Sequence, residues 1–186
     1  MELTEKTLES RRVFDGRLLH LDVDTVSLPN GEQSIREVVH HPGGVCVLPL
    51  HSDGTVSVVE QFRYPYARVV TELPAGKLEP GENPDEAIRR ELSEEVGLTA
   101  GQWHKFGVFY PSPGYTDEVL HLYFARDLSQ GDCHPDDDEF LAPKRIPLDE
   151  LVELALAGKL PDGKTAALVL MVQRFLEQEK QEKEDA

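Results

Sequence analysis

Between Asn83 and Gly97 the sequence marks out one helix together with both of its ends. Asn83 is a good N-cap, Pro84 suits the first helical position, and Glu86 falls three residues after the cap, as in a capping box. Gly97 supplies the stop, so the helix is expected over Pro84–Val96. At about 100° per residue, Ile88, Leu92 and Val96 fall in a stripe about 80° wide, and Glu91, Glu94 and Glu95 fill an adjoining arc of about 100°. A merely solvated acidic face would lie opposite the apolar stripe; these glutamates flank it. Like charges at i, i+3 and i+4 cost helix stability unless something neutralises them. Three carboxylates at the edge of a core suit a hard divalent cation, which prefers oxygen ligands and favours a phosphate substrate. The stripe reads as a magnesium platform.

The rest of the composition agrees. The chain has 186 residues, with 19 basic and 35 acidic side chains and a net charge of −16. Such a balance argues against nucleic-acid binding, which depends on Lys and Arg at the phosphates. Residues 76–98, 127–139 and 177–186 carry net charges of −4, −6 and −3, thirteen of the sixteen. The last stretch reads as a polar tail, a fraying helix end; the carboxylate of the other two either repels itself into disorder or is neutralised by bound cations. The longest apolar run, Ala166 to Val172, is far short of the roughly 20 residues of a membrane span. The N-terminal MELTEKTLESRR has no apolar signal core, and Cys46 and Cys133 make neither a disulfide framework nor a zinc site. No membrane association is expected, and a reducing cytoplasm is the default location.

Alternation at Leu19, Leu21 and Val23, the turn Pro29-Asn30-Gly31, and a return from Ser34 to His41 describe a hairpin. After Pro42-Gly43-Gly44, strands are expected at Val45–Leu48, Val56–Val59, Val69–Leu73, Phe106–Tyr110 and Val119–Ala125. Helices are expected at Leu148–Leu156 and from Thr165 onward. The pattern is α/β: a mixed sheet with helices on its faces. An N-terminal β-element, 1–41, precedes a main domain, 42–186, whose residues 177–186 form the tail.

Gly76-Lys-Leu-Glu-Pro-Gly-Glu82, followed after seven residues by Arg90-Glu91-Leu92-Ser93-Glu94-Glu95-Val96-Gly97-Leu98, resembles the Nudix box G-x5-E-x7-R-E-U-x-E-E-x-G-U at all nine fixed positions over 23 residues. Leu73-Pro74-Ala75 before it, Gln61-Phe62-Arg63-Tyr64 upstream, and Ser112-Pro113-Gly114-Tyr115-Thr116-Asp117-Glu118 downstream resemble the ADP-ribose pyrophosphatase (ADP-sugar diphosphatase) branch. So does the N-terminal run from Val13 to Glu37, and the similarity fades after Glu150.

The resemblance implies a Nudix α/β/α sandwich in a homodimer whose first strands reach across to the partner. It implies Mg2+-dependent hydrolysis of ADP-ribose to AMP and ribose 5-phosphate, with Mn2+ as an alternative cation. Glu91 and Glu95 would be the principal metal ligands, Glu94 would share or bridge a second ion, and the carbonyl of Ala75 would complete the set. Gly76, Glu82, Arg90 and Gly97 would hold the box together. Arg63 would face the diphosphate, since a guanidinium matches phosphate oxygens in fork geometry. Arg36 would contact substrate from the other subunit, with Pro113, Gly114, Tyr115 and Glu118 also lining the substrate. The general base would be Glu139, in the acidic run Asp132–Phe140, with Asp136 and Asp138 as substitutes. His40, His41 and the Cys133-His134 pair receive no role.

The sequence departs from the family at Leu18 and Ile35, where some members carry aromatic residues that sandwich adenine. GDP-mannose, NADH or another nucleoside diphosphate sugar is therefore an alternative substrate. An alternative of a different class, a non-catalytic ligand sensor that regulates transcription, would need a DNA-binding module and commonly shows a damaged box. Here the box is intact.

Overall fold

The computed structural model describes residues 2–134 and 140–185, which divide into two units. The first takes the chain up to Gly43 together with the excursion Tyr110–Val119. Its three strands, β1 (Lys6–Asp15), β2 (His20–Ser27) and β3 (Gln33–His40), pair antiparallel in chain order. The β2–β3 turn sits at Pro29-Asn30-Gly31, with Gly31 at φ +86°, a left-handed conformation that suits glycine. The hairpin expected from alternation is present. Strand β1 was not legible because KTLESRRVFD has no buried face: all ten of its residues are exposed. The excursion joins this unit through a parallel bridge between Val39 and Thr116.

The second unit contains the remaining described residues. Its strands are β4 (Gly44–Pro49), β5 (Thr55–Arg63), β6 (Arg68–Glu72), β7 (Ala75–Lys77), β8 (Leu98–Phe109), β9 (Leu120–Gln130) and β10 (Leu141–Pro147). Helices are α1 (Pro84–Val96), α2 (Leu148–Leu156) and α3 (Gly163–Glu184). A mixed sheet runs β7-β4-β9-β8, with β4 and β9 parallel and the other pairs antiparallel. A second, antiparallel sheet runs β10-β5-β6. Pro143 lies on the edge strand β10, the position in a sheet where proline is tolerated.

Every residue of β4 is buried, so alternation along it serves two cores. Val45 and Val47, with Tyr123 and Ala125 of β9, pack against Ala87, Ile88, Leu92 and Val96 of α1. Cys46 and Leu48, with Leu122 and Phe124 of β9, pack against Leu148 and Leu151 of α2 and Leu168, Val169 and Val172 of α3. Helices therefore cover both faces of the mixed sheet, the α/β/α arrangement expected from the sequence. Burying each such side chain stabilises the unit by roughly 1.5–3 kcal/mol before entropy is counted.

Two elements differ from expectation. Strand β8 begins at Leu98 rather than Phe106, because a bulge between Lys105 and Gly107, with Gly107 at φ +100°, breaks the alternation that marks a strand. Helix α3 continues through the acidic segment to Glu184, where the sequence suggested a frayed tail. Arg126 of β9 forks onto Glu179 at 2.8 and 2.7 Å and fastens that part of the helix to the sheet. Among the described residues no helix is long and apolar enough to cross a membrane.

Candidate active site

Helix α1 has the ends that its local chemistry dictates. The Asn83 side chain accepts the Asp85 N–H at 2.8 Å, and Gly97 closes the helix at φ +65°. The first turn is tied to the sheet, since Asp85 accepts from Lys105 Nζ at 2.7 Å and from the Tyr123 hydroxyl at 2.5 Å. Burial, and then this carboxylate, push the Tyr123 hydroxyl up to about 12. With the helix fixed at its start, the stripe of Ile88, Leu92 and Val96 enters the core, and Glu91 and Glu95 are buried beside it.

Four carboxylates and one guanidinium organise the box. Arg90 donates from Nε and Nη2 to the two oxygens of Glu82, each at 3.0 Å, and from Nη1 to Glu91 Oε1 and Glu94 Oε2, each at 2.9 Å. The hydrogen bond from Arg90 holds the Glu82 carboxyl below its usual range, and Glu82 in turn raises the Arg90 guanidinium. Glu82 Oε2 also accepts the Glu79 N–H at 2.9 Å, which closes the loop before α1. Glu95 Oε2 accepts the Ala75 N–H at 3.0 Å, so the fourth carboxylate fixes the backbone at the start of β7. Gly76 must lack a side chain: a Cβ there would lie 1.9 Å from the Glu91 carboxyl carbon. Glu91 is thereby held against the β7 backbone.

Among the described residues no three His, Cys, Asp or Glu side chains form a ready-made metal cage. The donor set nonetheless fits a hard divalent cation. Glu91 and Glu94 already converge on a single cationic nitrogen at 2.9 Å, and carboxylate oxygens are the donors such a cation prefers.

Of the other residues singled out in the sequence, Arg63 closes β5 in the same unit. It donates from Nε and Nη2 to Glu72 at 2.5 and 2.7 Å. That hydrogen bond raises the Arg63 guanidinium; burial alone would raise the Glu72 carboxyl, but Arg63 and Lys164 together bring it below its usual range. Arg36, Pro113, Gly114, Tyr115 and Glu118 all belong to the first unit. Arg36 forks onto Glu5 there, Tyr115 accepts the Val39 N–H through its carbonyl at 2.7 Å, and Glu118 approaches His41 at 3.6 Å. Glu139, Asp136 and Asp138 lie outside the described residues. The chain just before them docks on the end of α1: His134 N–H and the Cys133 thiol both donate to the Glu94 carbonyl at 3.0 Å.

Sequence reasoning missed Glu72 and Lys164. A signal for Glu72 existed, since it follows Val70 by two on the inward face of β6, where an acid must have a partner. Lys164 carried none.

Residues 40–169 match the NUDIX domain family, and residues 5–39 match the nucleoside diphosphate sugar hydrolase N-terminal domain. An ADP-ribose pyrophosphatase of Bacillus subtilis is 41% identical over 173 residues, covering 92% of this chain and 94% of the relative. A methanol dehydrogenase activator of Bacillus methanolicus is 40% identical over 171 residues, 91% and 92% of the two chains. A solved structure, the crystal structure of an ADP compounds hydrolase, superposes with a TM-score of 0.84 at 21% identity, covering 96% of this chain and 98% of that one, and shares the fold. The chain belongs to the Nudix hydrolase family.

Proposed function

We propose that this Nudix hydrolase cleaves the diphosphate linkage of ADP-ribose and related ADP-sugars, releasing AMP and, from ADP-ribose, ribose 5-phosphate. The observation that carries the proposal is the intact carboxylate cluster, in which Glu91 and Glu94 meet at one nitrogen and Glu95 holds Ala75. The relative from Bacillus subtilis, named as an ADP-ribose pyrophosphatase and matched along almost its whole length, supports the choice of substrate. In this account the cation is Mg2+, with Mn2+ as a substitute, held by Glu91, Glu94, Glu95 and the Ala75 carbonyl. A bound divalent cation supplies charge neutralisation on the phosphoryl oxygens and a water of lowered pKa.

The chain's own residues do the rest. Arg63 binds and orients the diphosphate through its guanidinium. Glu139 takes the proton of the attacking water as that oxygen bonds to phosphorus and the bridging P–O bond breaks. Glu82, Arg90, Gly76 and Gly97 keep loop and helix in register. Arg36, Pro113, Gly114, Tyr115 and Glu118 contact the remainder of the substrate, and the protein works in the cytoplasm as a homodimer joined through residues 1–41.

The test is a Mg2+-dependent hydrolysis panel of ADP-ribose, ADP-glucose, GDP-mannose, NADH and capped RNA with products identified by chromatography. ADP-ribose is expected to lead. A faster alternative substrate would overturn the ADP-ribose assignment while keeping the chemistry. Cleavage of none would overturn the enzymatic reading in favour of a ligand sensor.

A further inference from the structure

Arg63 is held from behind by a chain of charges that the box does not contain, buried at Glu72 and half-buried at Lys164 and Asp162. Glu72 is 3% exposed as a side chain, and both of its oxygens are engaged by Arg63. Its Oε2 also accepts from Lys164 Nζ, which in turn donates to Asp162 Oδ2 at 2.9 Å. The quartet holds two positive and two negative side chains, so it is neutral. Burial alone would lower the Lys164 ammonium, but Asp162 and Glu72 outweigh it and keep the group charged.

The geometry bears on how an anion would be received. Glu72 takes the Nε–Nη2 edge of the Arg63 guanidinium. The Nη1–Nη2 edge, on a side chain 41% exposed, is the fork that remains for a pair of phosphate oxygens. Were Lys164 absent, Glu72 and Asp162 would face Arg63 as its only cation within the quartet. One buried negative charge would be uncompensated, repelling an incoming diphosphate and drawing Arg63 inward. Lys164 also holds Glu72 Oε2, the oxygen that accepts from Arg63 Nη2, and so fixes the carboxylate against which the Arg63 fork lies.

We propose that Lys164 is a positioning residue for Arg63, acting through Glu72 to present the outer guanidinium fork to the diphosphate of the substrate. This rests on the reading that Arg63 binds that diphosphate. The same turn of α3 has a second anchoring role, since the Thr165 hydroxyl accepts the Leu73 N–H at 2.9 Å, two residues before Ala75. Disturbing the helix start would therefore also disturb the metal-binding backbone, and the test must separate the two effects.

Steady-state ADP-ribose hydrolysis at saturating Mg2+ does so with Lys164→Met, Lys164→Arg, Arg63→Gln and the Lys164→Met/Arg63→Gln double variant. Lys164→Met is expected to raise KM about tenfold with kcat changed less than about threefold. Lys164→Arg restores KM, and in the Arg63→Gln background Lys164→Met adds no further rise. Glu72→Gln leaves a single acceptor oxygen for Arg63 and Lys164 and so releases the plane of the fork. It is expected to raise KM by less than Lys164→Met, because the charge it removes no longer opposes an anion, and it serves if Met at 164 prevents folding. An unchanged KM in Lys164→Met and Glu72→Gln alongside a raised KM in Arg63→Gln overturns the positioning role alone. So does a Lys164→Met effect of equal size with and without Arg63, or a loss confined to kcat. An unchanged KM in Arg63→Gln overturns both this role and the assignment of Arg63 to the diphosphate.

Discussion

The two units place their apolar side chains in opposite ways. The second buries both faces of β4 within a large hydrophobic core, and the charges it places inside meet partners: Glu72 with Arg63 and Lys164, Glu91 with Arg90. The first has one buried hydrophobic among its described residues, Val26, and leaves Leu8, Val13, Phe14 and Ile35 exposed. Three strands with so small a core are marginal alone. The second unit carries its stability within itself, whereas the first gains most from having its apolar side chains covered, which is the physical content of the proposed homodimer.

The largest effect that would sharpen this contrast lies in the second unit's buried charge. Glu95→Gln keeps an oxygen to accept the Ala75 N–H but removes a negative charge from the cluster. Turnover is expected to fall by about a hundredfold or more with the melting temperature preserved. Near-normal turnover would break the claim that this carboxylate serves chemistry rather than packing. Next is Gly76→Ala, whose Cβ would displace the Glu91 carboxylate. The concentration of Mg2+ needed for half-maximal rate should rise about tenfold or more, read from activity against added metal.

In the first unit, the double substitution Leu8→Asp/Phe14→Asp is expected to shift the protein from dimer to monomer in light scattering while the second unit keeps its fold. A monomeric wild type would remove the distinction between a self-sufficient unit and one that needs cover. The smallest effect concerns His40, whose ring nitrogens meet Asp117 at 2.5 Å and Asp22 at 3.1 Å. Asp117, against some burial and with help from Asp22, raises the His40 pKa above its ordinary value. A raised folded-state pKa stabilises the protonated form. The contribution is complete below the unfolded value near 6.5 and is lost as pH climbs through the folded value. The first unit should therefore melt at a slightly lower temperature at pH 8.5 than at pH 6, and His40→Gln should flatten that slope.

What was legible in the sequence follows the range of the interactions. Helix α1 was readable to the residue because Asn83, Pro84 and Gly97 fix its ends through contacts within a few positions. The arc of Glu91, Glu94 and Glu95 beside the apolar stripe followed from the same helix by angle alone. Strand β1 was hidden because strands announce themselves through a buried face, and it has none. The first half of β8 was hidden by the Gly107 bulge. Lys164 and Glu72 are 92 residues apart in the chain, so their pairing is set by how α3 packs beside β6 and leaves no trace in local pattern. The continuation of α3 past residue 177 has the same cause, an ion pair from Glu179 to Arg126 on a distant strand.

The central claim is that a cation held by the box glutamates drives cleavage of a nucleoside diphosphate sugar. The most direct test is the rate of AMP release from ADP-ribose by chelator-stripped protein as Mg2+ is added back, in the wild type and in Glu95→Gln. The account predicts no release without metal, a saturable rise in the wild type, and almost none in the variant at any Mg2+ concentration. Release that ignores the chelator, or a variant that saturates to the wild-type rate, would contradict it.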